Sequence, residues 1–267
     1  MKKVLIVCVN YNSYEQLNEY MNSIVTAKNK INNCFVDVYI ADNSIQKNNF
    51  LIKNYNNLNV KVYHFENIGY LPGVSAIVNN KIDDINIYEY VIISNVDVLL
   101  DELFFIQLFE IEVNNKVGWI APQIYSRDEN RDRNPKIINR LSKIKIQLIK
   151  LFYKIPVLFL IYTRTLHNRK RINTLPPRSN IYAGHGSFII LTKHFFKKYK
   201  KIFYPVFLFG EELFFAELIK NKNMKVIYEP NVKVYDYDHI STSKLGYRIY
   251  CKENYKAIKY IIREFYE

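Results

Sequence analysis

Directly after Met1-Lys2-Lys3 stand six consecutive apolar residues, Val4 to Val9, and then the polar stretch Asn10-Tyr11-Asn12. An unbroken run of this length suits a strand covered on both faces, and such strands belong to parallel sheets packed between helices. The run is too short for a secretory signal and has no small-residue cleavage site, so it reads as a buried first strand. Tyr14 to Ala27 follows with Leu17, Met21, Ile24 and Val25 on one helical face and Ser13 placed to cap it. Val36 to Ala41, Val60 to His64 and Tyr90 to Ser94 read as further strands, separated by helices around Phe50 to Tyr55 and Gly73 to Asn80. This alternation predicts an α/β protein with a mostly parallel central sheet flanked by helices.

The second half is less regular. Val117 to Ala121, Ser187 to Leu191 and Lys225 to Tyr228 read as strands, and Leu213 to Lys222 as a helix followed by Asn223 in a left-handed position. Leu245 to Tyr266 reads as a long C-terminal helix.

In open α/β sheets ligands bind beyond the carboxyl ends of the strands. The candidates for chemistry are therefore Asn10-Tyr11-Asn12, Asp42-Asn43-Ser44, Asn67 to Gly73 and Asn95-Val96-Asp97, each directly after a strand. Asn, Asp and Gly are also ordinary turn formers, so the joint placement carries the argument and no single residue does. Asp42 is placed to accept a hydrogen bond from a base or ribose. Asn95 and Asp97 offer hard oxygen ligands to a divalent cation. Gly69 and Gly73 let backbone amides approach a phosphate.

Charge narrows the partners. The 267 residues carry a net charge of +13, which points to an acidic partner such as a nucleotide, a phospholipid or a nucleic acid. Between Lys136 and Arg178 there are eleven Lys or Arg and no acid, so one basic surface holds nearly all of the excess. Within it Ile137, Leu141, Ile144, Leu148, Leu151 and Ile155 recur at helical spacing, with Lys136, Lys143, Lys150 and Lys154 along one flank. Pro156 breaks the pattern before the apolar run Val157 to Tyr162, and Arg169-Lys170-Arg171 follows. Two compatible readings stay open: a helix lying in the headgroup layer of an anionic membrane, or one docking its apolar stripe on the sheet with its lysines in water. No stretch reaches the roughly 20 apolar residues needed to span a bilayer. Cys8, Cys34 and Cys251 are odd in number and lack metal-ligand spacing, which argues for a reducing, cytoplasmic setting.

Taken together, Val7 to Asn12, Ala41 to Ser44, Asn67 to Gly73, Ile93 to Asp97, Gly184 to Ser187, Phe209 to Glu212 and His239 to Ser243 resemble, in order, the motifs of family-2 glycosyltransferases. The similarity is strongest to the rhamnosyltransferase-like branch that builds bacterial surface polysaccharides. The resemblance implies a GT-A fold over 1–267, with a nucleotide-sugar half at 1–110 and an acceptor half at 111–267. The latter would include a basic helical insertion at 136–178 and the C-terminal helix at 245–267. It implies an inverting transfer from a nucleotide-diphosphate sugar to a saccharide acceptor, and the acid-free basic segment adds the expectation that this acceptor is lipid-linked and met at the inner face of the plasma membrane. Asn10, Tyr11, Asn12, Asp42, Asn43, Asn67, Gly69, Gly73, Asn95 and Asp97 would contact the donor. Asn95 stands where the family has the first Asp of its Asp-x-Asp motif, which leaves Asp97 as the surer ligand for Mn²⁺ or Mg²⁺, with His239 completing the metal or diphosphate site. Gly184, His185 and Gly186 would border the acceptor, or form a simple turn. Glu212 would be the general base with Glu211 in reserve, although acids at helix starts are also favoured by the dipole alone.

Three other classes share parts of this pattern. A sugar-phosphate nucleotidyltransferase would open on a Gly-rich loop with a basic residue, which Asn10-Tyr11-Asn12-Ser13 lacks. A nucleic-acid-binding protein would interleave aromatics through its basic segment, and no nucleic acid is expected here. Asn95 and the stretch Glu211-Glu212-Leu213-Phe214 leave room for a catalytically inactive relative that only binds sugar nucleotides.

Overall fold

The computed structural model describes residues 2–46, 55, 57–165, 175–236 and 246–267. Its first half runs β1 (Lys2–Asn10), α1 (Tyr14–Asn29), β2 (Cys34–Asp42), β3 (Leu58–His64), α2 (Tyr70–Asn80), β4 (Tyr90–Asn95), β5 (Val98–Leu100) and α3 (Phe104–Glu110). The second half runs β6 (Val117–Ser126), β7 (Arg131–Asp132), α4 (Lys143–Lys154), α5 (Pro156–Thr165), β8 (Ser179–Ile181), β9 (Phe188–Thr192), α6 (Lys193–Phe196), α7 (Glu211–Asn221), β10 (Lys225–Asp236) and α8 (Tyr247–Phe265).

Strands from both halves form one sheet in the order β3-β2-β1-β4-β9-β6-β10-β5, with β7 beside β6 and β8 beside β10. The four strands from β3 to β4 are parallel, as are β6 and β10. β9 is antiparallel to both β4 and β6. The apolar run that opens the chain is buried on both sides of this sheet. Leu5 and Val7 face one core with α2, α7 and α8, while Val4, Ile6 and Cys8 face the other with α1 and α3. Each large side chain so buried contributes about 1.5–3 kcal/mol relative to exposure, which is why no polar residue interrupts the run.

The reversal at β9 positions the site. Because Phe188 pairs with Ser94, the segment leading into β9, Gly184 to Ser187, arrives at the carboxyl end of β4. Val98 pairs with Asp236, so the start of β5, directly after Asp97, lies at that same edge.

Several elements differ from the sequence expectation. α2 begins at Tyr70 and not Gly73, with Pro72 in the first turn where its missing amide has no helical partner. The stripe beginning at Ile137 is not one helix: Ile137 bridges to Ala183, and Ser142 caps a later start by accepting from the Lys145 amide at 3.2 Å. Pro156 opens α5 at a first-turn position and does not merely end α4. β10 continues past Tyr228 to Asp236 through an irregularity between Glu229 and Lys233. Ser13 occupies the cap position of α1 but donates to the Tyr11 carbonyl at 3.1 Å, and its side chain caps nothing. Apart from Tyr55, the helix expected around Phe50 to Tyr55 lies outside the described residues, as do Arg169-Lys170-Arg171 and His239. Among the described residues, no helix is long and apolar enough to cross a membrane.

Candidate active site

A cleft of about 240 Å³ opens at the carboxyl ends of β1 and β4. Tyr11 and Ser13 line it from the loop after β1, Asn43 from the end of β2, Asn67, Gly69 and Tyr70 from the start of α2, and Asn95 and Asp97 from the end of β4. Phe207, Leu208, Phe209 and Glu211, from the segment that runs into α7, complete the lining.

Asp42 does not reach the cleft as a free carboxylate. It is 1% exposed, and its Oδ1 accepts from Asn10 Nδ2 at 3.1 Å, the Ser44 amide at 3.2 Å and the Ser44 hydroxyl at 2.6 Å. Its Oδ2 accepts from the Tyr14 hydroxyl at 2.9 Å and lies 3.0 Å from His64 Nδ1. Burial by itself would raise this carboxyl, and the bonds from Ser44, Tyr14 and Asn10 outweigh it and hold the group below the ordinary range. Asp42 is thus the hub that locks the β1 and β2 loops together. Asn10 and Asn12 serve the same lock, with Asn10 fully buried and Asn12 Oδ1 accepting from the Ile45 amide at 3.2 Å. Of the first-loop candidates, Tyr11 faces the cleft.

Asn43 is different. Its Nδ2 donates to the Gly69 carbonyl at 2.9 Å, which fixes the amide's orientation, and its buried Oδ1 has no partner. An orphaned acceptor on a cleft wall costs about 1–3 kcal/mol unless a ligand donor meets it. A hydroxyl group fits that need, and a phosphate oxygen does not.

The two glycines divide in role. Gly69, at φ 99°, lies so close to the Phe207 carbonyl that a Cβ would come within 2.2 Å of it. Gly73 donates its amide to Gly69 inside α2 at 3.3 Å and packs against Ala41, so that amide is not offered to a phosphate. The Gly184-His185-Gly186 stretch is likewise internal. Gly184 abuts Trp119, His185 takes an Asn134 side-chain contact through its amide at 2.7 Å and pairs its ring with Ser187 at 2.9 Å, and Gly186 abuts Glu211.

The acidic pair at the start of α7 is split by helix phase. Glu211 lines the cleft, whereas Glu212 is not among the lining residues and lies near Tyr153 of α4 and Tyr250 of α8. The convergence expected for Asp42, Asp97 and Glu212 is therefore realised by Asp97 and Glu211, with Asp42 behind the wall. Burial, then the neighbouring charge of Glu212, pushes the Glu211 carboxyl up to about 8. Its backbone turn is unusual: Phe209 at φ 69° and Gly210 at φ 83° are consecutive left-handed residues, and Tyr204 donates to the Phe209 carbonyl at 2.6 Å. Strain of this kind at a non-glycine residue is worth roughly 1–3 kcal/mol and gathers at functional sites. Phe207 and Leu208 are not among the sequence candidates, and Gly210 before the acids is the local signal of the turn.

The donor set accommodates a hard cation in part. Asp97 and Asn95 line the cleft with a carboxylate and an amide, groups of the hard-oxygen type through which Mg²⁺ and Mn²⁺ bind beside substrate phosphates. Among the described residues no group of three or more His, Cys, Asp and Glu side chains converges as an all-protein cage.

No family model matches the sequence, and no curated protein matches it. The structure is similar to that of TarS from S. aureus, with a TM-score of 0.61 at 13% identity over 99% of this chain, and the chain spans 39% of the length of that protein. It is similar to TarS 1-349 in complex with UDP-GlcNAc, with a TM-score of 0.62 at 13% identity over 99% of this chain and 67% of that one. It is also similar to GalNAc-T7 with UDP, GalNAc and Mn²⁺, with a TM-score of 0.64 at 14% identity over 98% of this chain and 48% of that one. At such identities the likeness speaks for architecture. The chain has the GT-A fold, with a central sheet flanked by helices and a C-terminal helix.

Proposed function

We propose that the chain is an inverting glycosyltransferase that moves a sugar from a nucleotide-diphosphate donor to a hydroxyl of a saccharide acceptor. The observation that carries this reading is that Asp97 and Glu211 line one cleft at the carboxyl edge of the sheet. The neighbours solved with UDP-GlcNAc, or with UDP, GalNAc and Mn²⁺, support a nucleotide sugar as donor. By the resemblance of its motifs we assign the activity to bacterial surface polysaccharide synthesis, and from the acid-free basic segment 136–178 we assign it a lipid-linked acceptor.

In this reading Tyr11, 40% exposed on the lip, offers a ring face to the base. Asn43 Oδ1 accepts from a hydroxyl of the donor's ribose or sugar. Glu211 takes the proton of the acceptor hydroxyl as its oxygen bonds to the anomeric carbon, and the bond from that carbon to the diphosphate oxygen breaks with its electron pair leaving on the diphosphate. Asp97 and Asn95 would hold a divalent cation, whose chemistry there is neutralisation of charge on the diphosphate.

Thermal melts with a panel of nucleotide sugars, each with and without Mn²⁺ or Mg²⁺, test the reading. A binder at one hundred times its Kd stabilises by about 2.7 kcal/mol, and the matching donor should then be turned over on acceptor addition. No stabilisation by any nucleotide sugar under any of these conditions would refute it.

Gly186→Ala probes the same site from behind. The added Cβ would come within 2.5 Å of Glu211 Cγ. The flexible carboxylate is expected to yield by rotating out of position, lowering turnover roughly tenfold to hundredfold, while the melting temperature changes little. A variant with wild-type turnover would remove Gly186 as the backing for Glu211.

A further inference from the structure

We infer that the outward face of α4 docks on an anionic lipid bilayer. The helix has two apolar faces. One packs on α8, with Ile146 buried and Ile149 and Tyr153 against the core. On the other, Ile144 is 75% exposed, Leu148 58%, Leu151 47% and Ile155 43%, and Val157 at the start of α5 is 61% exposed. At 3.6 residues per turn, positions 144, 148, 151 and 155 form one stripe directly opposite Ile146 and Tyr153. A helix needs one apolar face to join a core, and among the described residues the second face is left exposed.

Charge selects the occupant. Lys143 and Lys154 flank the stripe on one side and Lys145 on the other, all exposed. The surrounding segment from Lys136 to Arg178 contains no acid. A second copy meeting this stripe about a two-fold axis would oppose lysine to lysine. A polynucleotide would satisfy the lysines and leave the aliphatic stripe in water. An anionic bilayer satisfies both, because the stripe enters the acyl boundary while lysine stems extend to the headgroup phosphates.

Position gives the docking a use. Phe209, on the cleft wall, packs on Tyr250 with ring centroids 5.0 Å apart, and Tyr250 packs on Tyr153 of α4 at 6.2 Å. The lipid-facing stripe is thus about one helix diameter, roughly 10 Å, beyond the aromatic layer that backs the cleft. Docking stands independently of the chemistry proposed for the cleft, and only delivery of a lipid-linked acceptor rests on that reading.

Flotation of the full chain with phosphatidylcholine vesicles, with and without phosphatidylglycerol, tests it. Binding is expected to the anionic vesicles alone and to weaken with salt. Ile144→Glu/Leu148→Glu and, separately, Lys143→Gln/Lys145→Gln/Lys154→Gln should each lower vesicle affinity roughly tenfold or more, with nucleotide-sugar binding and melting temperature unchanged. Absence of flotation, or flotation unaffected by both sets of substitutions, would overturn the inference. So would a dimer in sedimentation equilibrium, without vesicle binding, that the Ile144→Glu/Leu148→Glu pair dissolves.

Discussion

Glu211→Gln is expected to lower turnover by about 10²–10⁴, the usual contribution of a positioned general base, while leaving donor affinity close to that of the parent. The substitution keeps size and hydrogen-bonding shape and removes only the ability to hold a proton. Glu212→Gln is the control, since that residue is not among those lining the cleft, and its effect should stay within about tenfold. The pH dependence has a fixed sign. Burial and the Glu212 charge push the Glu211 carboxyl up to about 8, so the deprotonated, active form grows as pH rises toward that value. kcat/KM should climb through neutrality and level off above it, and the Gln variant should lose this limb. Stability moves the other way. A carboxyl raised in the folded state from 4.5 to about 8 is bound as the acid more tightly by the native protein than by the unfolded chain. Stability present below 4.5 is therefore lost as pH rises to about 8. Glu211→Gln removes that loss, so it should melt higher than the parent at pH 8 and equally at pH 4. A variant that turns over normally would transfer the base role, with Glu212 the first alternative.

The strand framework was legible because the apolar run at Val4 to Val9 has no meaning except burial on two faces. Chain direction in a parallel sheet puts the strand ends Asn10, Asp42 and Asn95 on one edge, and the cleft opens at that edge. Which of those side chains enters the cleft was not legible. Asp42 and Asn43 are adjacent and equally plausible in sequence, and only the donors around Asp42 turn one into a structural hub and leave the other with an orphaned oxygen. Glu211 and Glu212 differ by one helical step, and the phase that selects Glu211 is set by the left-handed turn at Phe209-Gly210 and the bare surface of Gly186. The basic segment hid its outcome differently. Apolar residues sit on two faces of α4, so its periodicity was equally compatible with docking on the protein and on lipid. Ser142 was present as a cap signal for the true start, but Ile137 and Leu141 extended the apparent stripe past it.

Arg140→Ala is expected to cost about 2–4 kcal/mol of stability, a fall of several degrees in melting temperature for a chain of this size. The physical reason is the carboxylate it leaves behind. Glu217 lies in the middle of α7 and is fully buried, and Arg140 Nε and Nη2 donate to its two oxygens at 2.8 and 3.1 Å. Tyr182 donates to the same carboxylate at 2.5 Å, and a third bond from Arg140 reaches the Phe265 carbonyl at 3.1 Å. The guanidinium also lies 4.0 Å from the ring centroid of Tyr266. One side chain thus joins the segment before α4, the helix that begins with Glu211, and the end of α8. Because the Arg140 side chain is 33% exposed, water screens part of the pair, and the lower half of the range is the better expectation. The double variant Arg140→Met/Glu217→Met separates the causes. If the cost of the single change is an uncompensated buried charge, removing both charges should recover most of the stability. If the double variant is as unstable as Arg140→Ala, the loss lies in packing around Tyr182 and Tyr266 instead. Turnover distinguishes the consequence for the cleft, since a loosened α7 would misplace Glu211 and lower kcat even at temperatures where the protein remains folded.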